Sequence, residues 1–204
     1  MYINMTLKLS RRKIMTGKMV NGILFIIAGL GSIAVYLLLG ETGLLGTGHT
    51  EKFAAYALVT IPLAFMMTRN VEKKAFIKVQ TYIDSGLLLI VVGLIMGLVS
   101  DAINSAELSA ESDLIGEAIA WTGWSIMYLG IFFTGLGYLC TNLFPKWLSG
   151  LLSLTSFVMF AYLAFLSPEQ LSNGGDSIVR PLWMINSLVL VILGIFTMRR
   201  KELD

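Results

Sequence analysis

The 204-residue chain is 56% hydrophobic and only 14% charged, and its mean hydropathy is +0.78. Soluble domains carry about 25% charged residues, so this composition excludes an ordinary soluble protein and indicates an integral membrane protein. The net charge of +2 gives no reason to expect a nucleic-acid partner. One cysteine and one histidine exclude an intramolecular disulfide and a cysteine–histidine metal cluster within a single chain.

Six apolar segments follow in chain order, each near the roughly 20 residues that an α-helix needs to cross a bilayer. The predicted spans are residues 19–40, 52–69, 81–100, 116–140, 147–167 and 181–198. The second has the shortest apolar part and contains Pro62, which predicts a kink. The loops are too short for a soluble domain. Residues 1–204 are therefore expected to form a single membrane domain, an all-α bundle of six transmembrane helices.

The basic residues predict the orientation of this bundle. Of the 15 Lys and Arg residues, only Lys52 and Arg180 fall in predicted loops on the side opposite the N-terminus. Lysine and arginine resist translocation and stay on the cytoplasmic side of a membrane. The distribution predicts a multi-pass protein of the cytoplasmic (inner) membrane with both termini inside.

The four tryptophans all fall near the ends of predicted spans. Trp121 and Trp124 stand at the start of span four, Trp147 at the start of span five and Trp183 at the start of span six. Indole rings favour the boundary between water and lipid, which predicts that these residues are interface anchors. Span four also mixes serine, threonine, tyrosine and glycine into its apolar sequence. This mixture fits either a helix that faces a ligand pocket or a central helix contacted on several sides.

Asp84 stands just before a long apolar run, Leu87 to Val99, where a carboxylate needs an explanation. The T-x-x-D pattern that starts at Thr81 is typical of a capping box at a helix start. If the helix begins earlier, the carboxylate lies inside the span and needs a partner, for which Lys18 at the same edge of span one is the candidate. A proton or ion relay is the third interpretation. Together with Asn21, these residues form a candidate polar or ion site of Asp84, Lys18 and Asn21.

Span three carries three glycines at a helical spacing. Gly93 and Gly97 form a G-x-x-x-G motif, and Gly86 lies seven residues earlier on the same face. Small residues at this spacing allow another helix to approach closely. We expect Gly86, Gly93 and Gly97 to form a helix-packing face, directed either within the chain or toward a second copy.

The segment "GLGYLCTNLFPKWLSG", residues 135–150, resembles part of a group of prokaryotic six-span membrane proteins of unknown function. In that group a G-Y-L span end is followed by a short cytoplasmic loop and an L-P-R-x-L-G-like start of the next span. The residues that carry the resemblance are Gly137, Tyr138, Leu139, Pro145, Lys146, Leu148 and Gly150. The resemblance implies a six-span topology and no activity.

No catalytic motif is recognisable in the sequence, and no cofactor or metal site is expected. The leading hypothesis is a non-catalytic membrane protein, an accessory, scaffolding or regulatory subunit that packs against membrane partners or a second copy. The alternative is a small solute or ion carrier or channel that uses Asp84 and span four. A second alternative is a lipid-binding protein or an intramembrane enzyme. Membrane lipids are the expected partners in every case.

Overall fold

A computed structural model describes residues 16–39, 56–104, 109–166 and 176–200. Every regular element in these ranges is helical, which confirms the predicted all-α class. The helices in chain order are α1 (Gly17–Leu39), α2 (Thr60–Val71), α3 (Lys73–Phe76), α4 (Gln80–Asn104), α5 (Ala110–Leu139), α6 (Lys146–Phe165) and α7 (Asp176–Arg199).

Four of the described helices are long and apolar enough to cross a membrane: α4, α5, α6 and the Ile178–Arg199 part of α7. Helix α1 has 23 residues, and its apolar stretch Gly17–Gly31 is shorter than these four. Helix α2 has 12 residues. The lengths and compositions of the four long helices are those of a membrane protein.

The long helices are arranged as a ring that follows the chain order. Helix α1 packs between α2 and α7, α2 also contacts α4, and α4 forms its largest interface with α5. Helix α6 lies between α5 and α7, and the contact of α7 with α1 closes the ring. The buried side chains of these helices form one hydrophobic core, which includes residues of α1, α2, α4, α5, α6 and α7.

Helices α4 and α5 approach each other along a face of small residues. An added Cβ atom at Gly130 would lie 2.6 Å from the backbone oxygen of Gly86, and one at Gly123 would lie 2.8 Å from that of Gly93. A Cβ atom at Gly97 would lie 2.9 Å from an indole ring of α5. The predicted packing face of Gly86, Gly93 and Gly97 is therefore directed at α5 of the same chain.

Pro62 lies near the start of α2. It is the third residue of α2, within the first turn, where a backbone N–H has no partner inside the helix. Residues 56–58 are also helical, and Val59, between them and α2, has helical backbone angles of φ −57° and ψ −25°. The backbone therefore stays helical from residue 56 into α2, and the kink at Pro62 remains a prediction.

Candidate functional site

A cavity of about 570 Å³ lies among α1, the start of α2, α5, α6 and α7. Its volume is within the range of about 300–1,000 Å³ that is typical of small-molecule sites. Most of its wall is aromatic or aliphatic. The larger side chains on the wall are Trp121, Trp124, Met127, Tyr128, Leu152, Met159, Trp183 and Leu190. A space of this size and lining suits a lipophilic molecule.

Helical periodicity brings these side chains to the cavity. Trp121, Trp124 and Tyr128 of α5 are spaced at i, i+3 and i+7, which places them on one helix face. Trp183 and Leu190 of α7 are likewise seven residues apart. The cavity occupies the half of the bundle in which α5 and α7 begin. Both interpretations of predicted span four find support: its Trp121, Trp124 and Tyr128 line the cavity, whereas its Gly123 and Gly130 pack against α4.

Three of the four tryptophans predicted as interface anchors, Trp121, Trp124 and Trp183, lie on the cavity wall. Trp147 is different: it is the second residue of α6, and 58% of its surface is exposed. Its ring packs edge-on against Phe196 at a centroid distance of 6.5 Å. Trp147 therefore lies outside the cavity and retains the geometry expected of a surface anchor.

Apart from the tyrosine and tryptophan side chains, the polar groups of the wall are few and lie on α7: Arg180, Asn186 and Ser187. The Asn186 amide oxygen accepts hydrogen bonds from the hydroxyls of Thr155 at 3.0 Å and Ser156 at 3.1 Å, and the amide nitrogen donates to the Leu182 carbonyl at 3.0 Å. These bonds tie α7 to α6. Arg180 is the one charged side chain among the described residues that line the cavity.

Aromatic rings close the opposite half of the bundle. Phe25 and Phe65, each one turn beyond a cavity-lining residue, pack edge to face at 5.2 Å, and Phe65 lies 6.1 Å from Tyr138. The Tyr138 ring also packs against Phe76 at 5.7 Å and Phe144 at 5.0 Å. All five side chains are almost fully buried. Within the described residues these rings fill the core of that half, and none of them lines the cavity.

A buried ionic cluster lies beyond the aromatic rings. Glu72, at the junction of α2 and α3, accepts from Arg200 at 2.8 Å and lies 3.8 Å from the Lys18 ammonium. Arg200 also donates to the Leu143 carbonyl at 3.0 Å and stacks 5.3 Å above the Phe144 ring. Burial lowers the pKa of the Arg200 guanidinium, and the Glu72 carboxylate acts in the opposite direction. The cluster joins the start of α1 to the end of α7.

Sequence reasoning did not identify Glu72 as a site residue. The signal was present, because Glu72 is the one acid in the otherwise basic segment from Arg69 to Lys78. Asn21, which was predicted as a polar site residue, lies in the same region. Its amide is 2.8 Å from the Thr68 hydroxyl, and both side chains are fully buried. This contact joins α1 to α2 beside the ionic cluster.

The partner of Asp84 is Arg69, not Lys18. The Arg69 guanidinium donates to both carboxylate oxygens, at 2.7 and 3.2 Å, and Gln80 donates at 3.1 Å. Helix α4 begins at Gln80, so Thr81 lies inside the helix and is not its N-cap. The capping-box prediction and the Lys18 pairing are therefore both wrong, because α2 places its own arginine beside the carboxylate.

The predicted polar site is divided by α2. Thr68 and Glu72 face α1, where they meet Asn21 and Lys18, whereas Arg69 faces α4. No group of three or more His, Cys, Asp or Glu side chains that could hold a metal ion occurs within the described residues. His49 lies outside those residues.

Comparisons of the chain with protein-family models, with curated proteins and with solved structures found no match.

Proposed function

We propose that this protein is a non-catalytic inner-membrane protein that binds one lipophilic small molecule in the cavity lined by Trp121, Trp124 and Trp183. The observation that carries the proposal is the cavity itself, which is large, mostly apolar and closed on one side by aromatic rings and buried charges. A bundle whose only role was packing would gain stability by filling such a space.

The proposal includes six membrane crossings with both termini in the cytoplasm. Helix α1 has 23 residues, so it is about 34 Å long and matches a hydrocarbon core of about 30 Å. The closed half of the bundle carries Lys18, Arg69 and Arg200, which supports a cytoplasmic location for that half. In this orientation the cavity belongs to the outer half of the membrane.

The second candidate function is that of a carrier, and the structure favours a carrier over an open channel. The aromatic closure argues against a continuous pore. A cavity open to one side and closed on the other by Glu72 and its two cations is the arrangement expected of one state of an alternating-access carrier. Binding in the cavity is the step that both candidates share.

Fluorescence quenching tests this binding. In a Trp147→Phe background the three remaining tryptophans all line the cavity. Titration of the purified protein with the methyl ester of dibrominated stearic acid is expected to quench their emission with a saturable curve, because bromine quenches indole fluorescence on close approach. The apparent Kd and the stoichiometry are the measured quantities.

A variant that fills the cavity is compared with a control variant that adds the same ring outside it. Ala28→Phe adds a ring to the wall of the cavity, and Leu30→Phe adds one at a position that is 49% exposed on the outside of α1. Saturable quenching is expected to disappear in Ala28→Phe and to persist in Leu30→Phe. Met159→Phe, on the α6 wall, is the second cavity-filling variant in case Ala28→Phe does not fold. Equal quenching of the cavity-filled and control variants would contradict the proposal.

A further inference from the structure

A second depression, of about 310 Å³, lies where α2, α3 and α4 meet. It is separate from the cavity described above and shares no lining residue with it. Its wall combines charged and apolar side chains. The lining includes the charged residues Arg69, Lys73 and Asp84 and the apolar residues Phe76, Ile77 and Ile83.

Two cationic side chains on this wall, Arg69 and Lys73, have hydrogen-bond donors that are not used by acceptors of the described protein. Arg69 carries five N–H donors, and Asp84 engages its Nε and Nη2 atoms. Within the part of the chain that the structure describes, no protein acceptor takes the other Arg69 donors or the ammonium of Lys73. With one carboxylate between two cations, the depression keeps a net positive charge.

The apolar part of the wall is unusual for a water-filled depression. The lining residues Phe76 and Ile83 are buried, whereas Ile77 is 73% exposed. An exposed isoleucine beside two cations matches the boundary between lipid tails and headgroups, where basic side chains attract anionic lipids.

We infer that this depression is a binding site for the phosphate headgroup of an anionic phospholipid of the inner leaflet. Arg69 and Lys73 donate to the phosphate oxygens, and Ile77 contacts the adjoining acyl chain. The Asp84 carboxylate holds the Arg69 guanidinium by two hydrogen bonds and so fixes the direction of its remaining donors. The inference rests on the membrane insertion and orientation proposed above, but not on ligand binding in the larger cavity.

The free phosphate ion is a poorer match for the same site. Phosphate uses only the two cations, and leaves Ile77 and the rest of the apolar wall in contact with water. A phospholipid uses both parts of the wall.

Native mass spectrometry of the detergent-solubilised full chain tests the inference. The protein is titrated with dioleoylphosphatidylglycerol and, separately, with dioleoylphosphatidylcholine. The anionic lipid is expected to bind with the lower apparent Kd. Lys73→Gln is expected to raise that Kd about fivefold, which corresponds to one basic residue at a membrane surface.

Lys74→Gln is the matched control. Lys74 is the exposed neighbour of Lys73, carries the same charge and does not line the depression. The Kd of Lys74→Gln is expected to stay within twofold of the wild-type value, whereas nonspecific surface attraction predicts equal effects for both variants. Equal effects, or equal binding of the two lipids, would overturn the inference.

Inorganic phosphate, added at the same concentration as the lipid, is expected not to displace the bound lipid. Efficient displacement of the lipid by phosphate would assign the site to the free ion and would overturn the lipid assignment. None of these results changes the outcome expected of the quenching experiment on the larger cavity. Loss of lipid binding at this depression can therefore be distinguished from loss of ligand binding in the larger cavity.

Discussion

The Gly93→Ala variant is expected to lose about 1–3 kcal/mol of its free energy of unfolding, the usual cost of overpacking a close contact. A Cβ atom on Gly93 would meet the backbone of Gly123 and Met127 in α5, and backbone atoms cannot move aside as a flexible side chain can. The two helices must therefore separate along their largest interface. The measurement is thermal or denaturant-induced unfolding of the purified protein in detergent.

Gly150→Ala makes the same chemical change at a site with space for it. A Cβ atom on Gly150 would lie 3.9 Å from the nearest side-chain atom, Leu139 Cδ2, which is an ordinary contact. Because alanine is a better helix former than glycine, Gly150→Ala is expected to be neutral or slightly stabilising. If both variants unfold like the wild type, the glycine face of α4 does not pack against α5.

Glu72→Leu is expected to destabilise the protein by about 3–5 kcal/mol, the cost of removing one partner from a buried ion pair. The substitution removes the carboxylate that Lys18 and Arg200 share, at positions where their side chains are only 11% and 18% exposed. Unfolding in detergent again gives the free-energy difference. The double variant Glu72→Leu with Arg200→Met is expected to recover part of the loss, because it also removes the guanidinium that loses its ion pair with Glu72.

Asp84→Leu is the comparison for Glu72→Leu. It also breaks an arginine–carboxylate pair, but the side chains of Arg69 and Asp84 are 36% and 39% exposed. Water solvates the arginine that is left behind, so a loss of about 1 kcal/mol or less is expected. A loss in Asp84→Leu as large as that in Glu72→Leu would contradict the distinction between the buried and the exposed ion pair.

Hydropathy located the long helices well but not their polar ends. The predicted span 147–167 corresponds to α6 at Lys146–Phe165, and span 81–100 falls within α4. Helix α5 begins at Ala110, six residues before the predicted span at 116. Its first turn is polar and is started by Ser109, whose side chain accepts a hydrogen bond from the Ser112 N–H. A scale that detects apolar residues cannot detect a helix start of this kind.

The ion-pair partners of the charged residues could be identified only from the three-dimensional arrangement of the helices. Sequence reasoning chose Lys18 as the candidate partner of Asp84, although Arg69 lies on the same side of the predicted membrane. Packing of α2 against both α1 and α4 decides the matter by directing Glu72 to Lys18 and Arg69 to Asp84. Sequence reasoning gave a ligand pocket beside span four only as one of two interpretations, because hydropathy does not distinguish an apolar side chain that fills the core from one that lines a void.

The proposed function requires that the cavity hold one lipophilic molecule per chain. Native mass spectrometry after incubation with the brominated stearate ester tests this stoichiometry, because it counts bound molecules. One retained ester is expected in the wild type and in Leu30→Phe, and none in Ala28→Phe. No retained ester in the wild type, or the same occupancy in all three proteins, would contradict it.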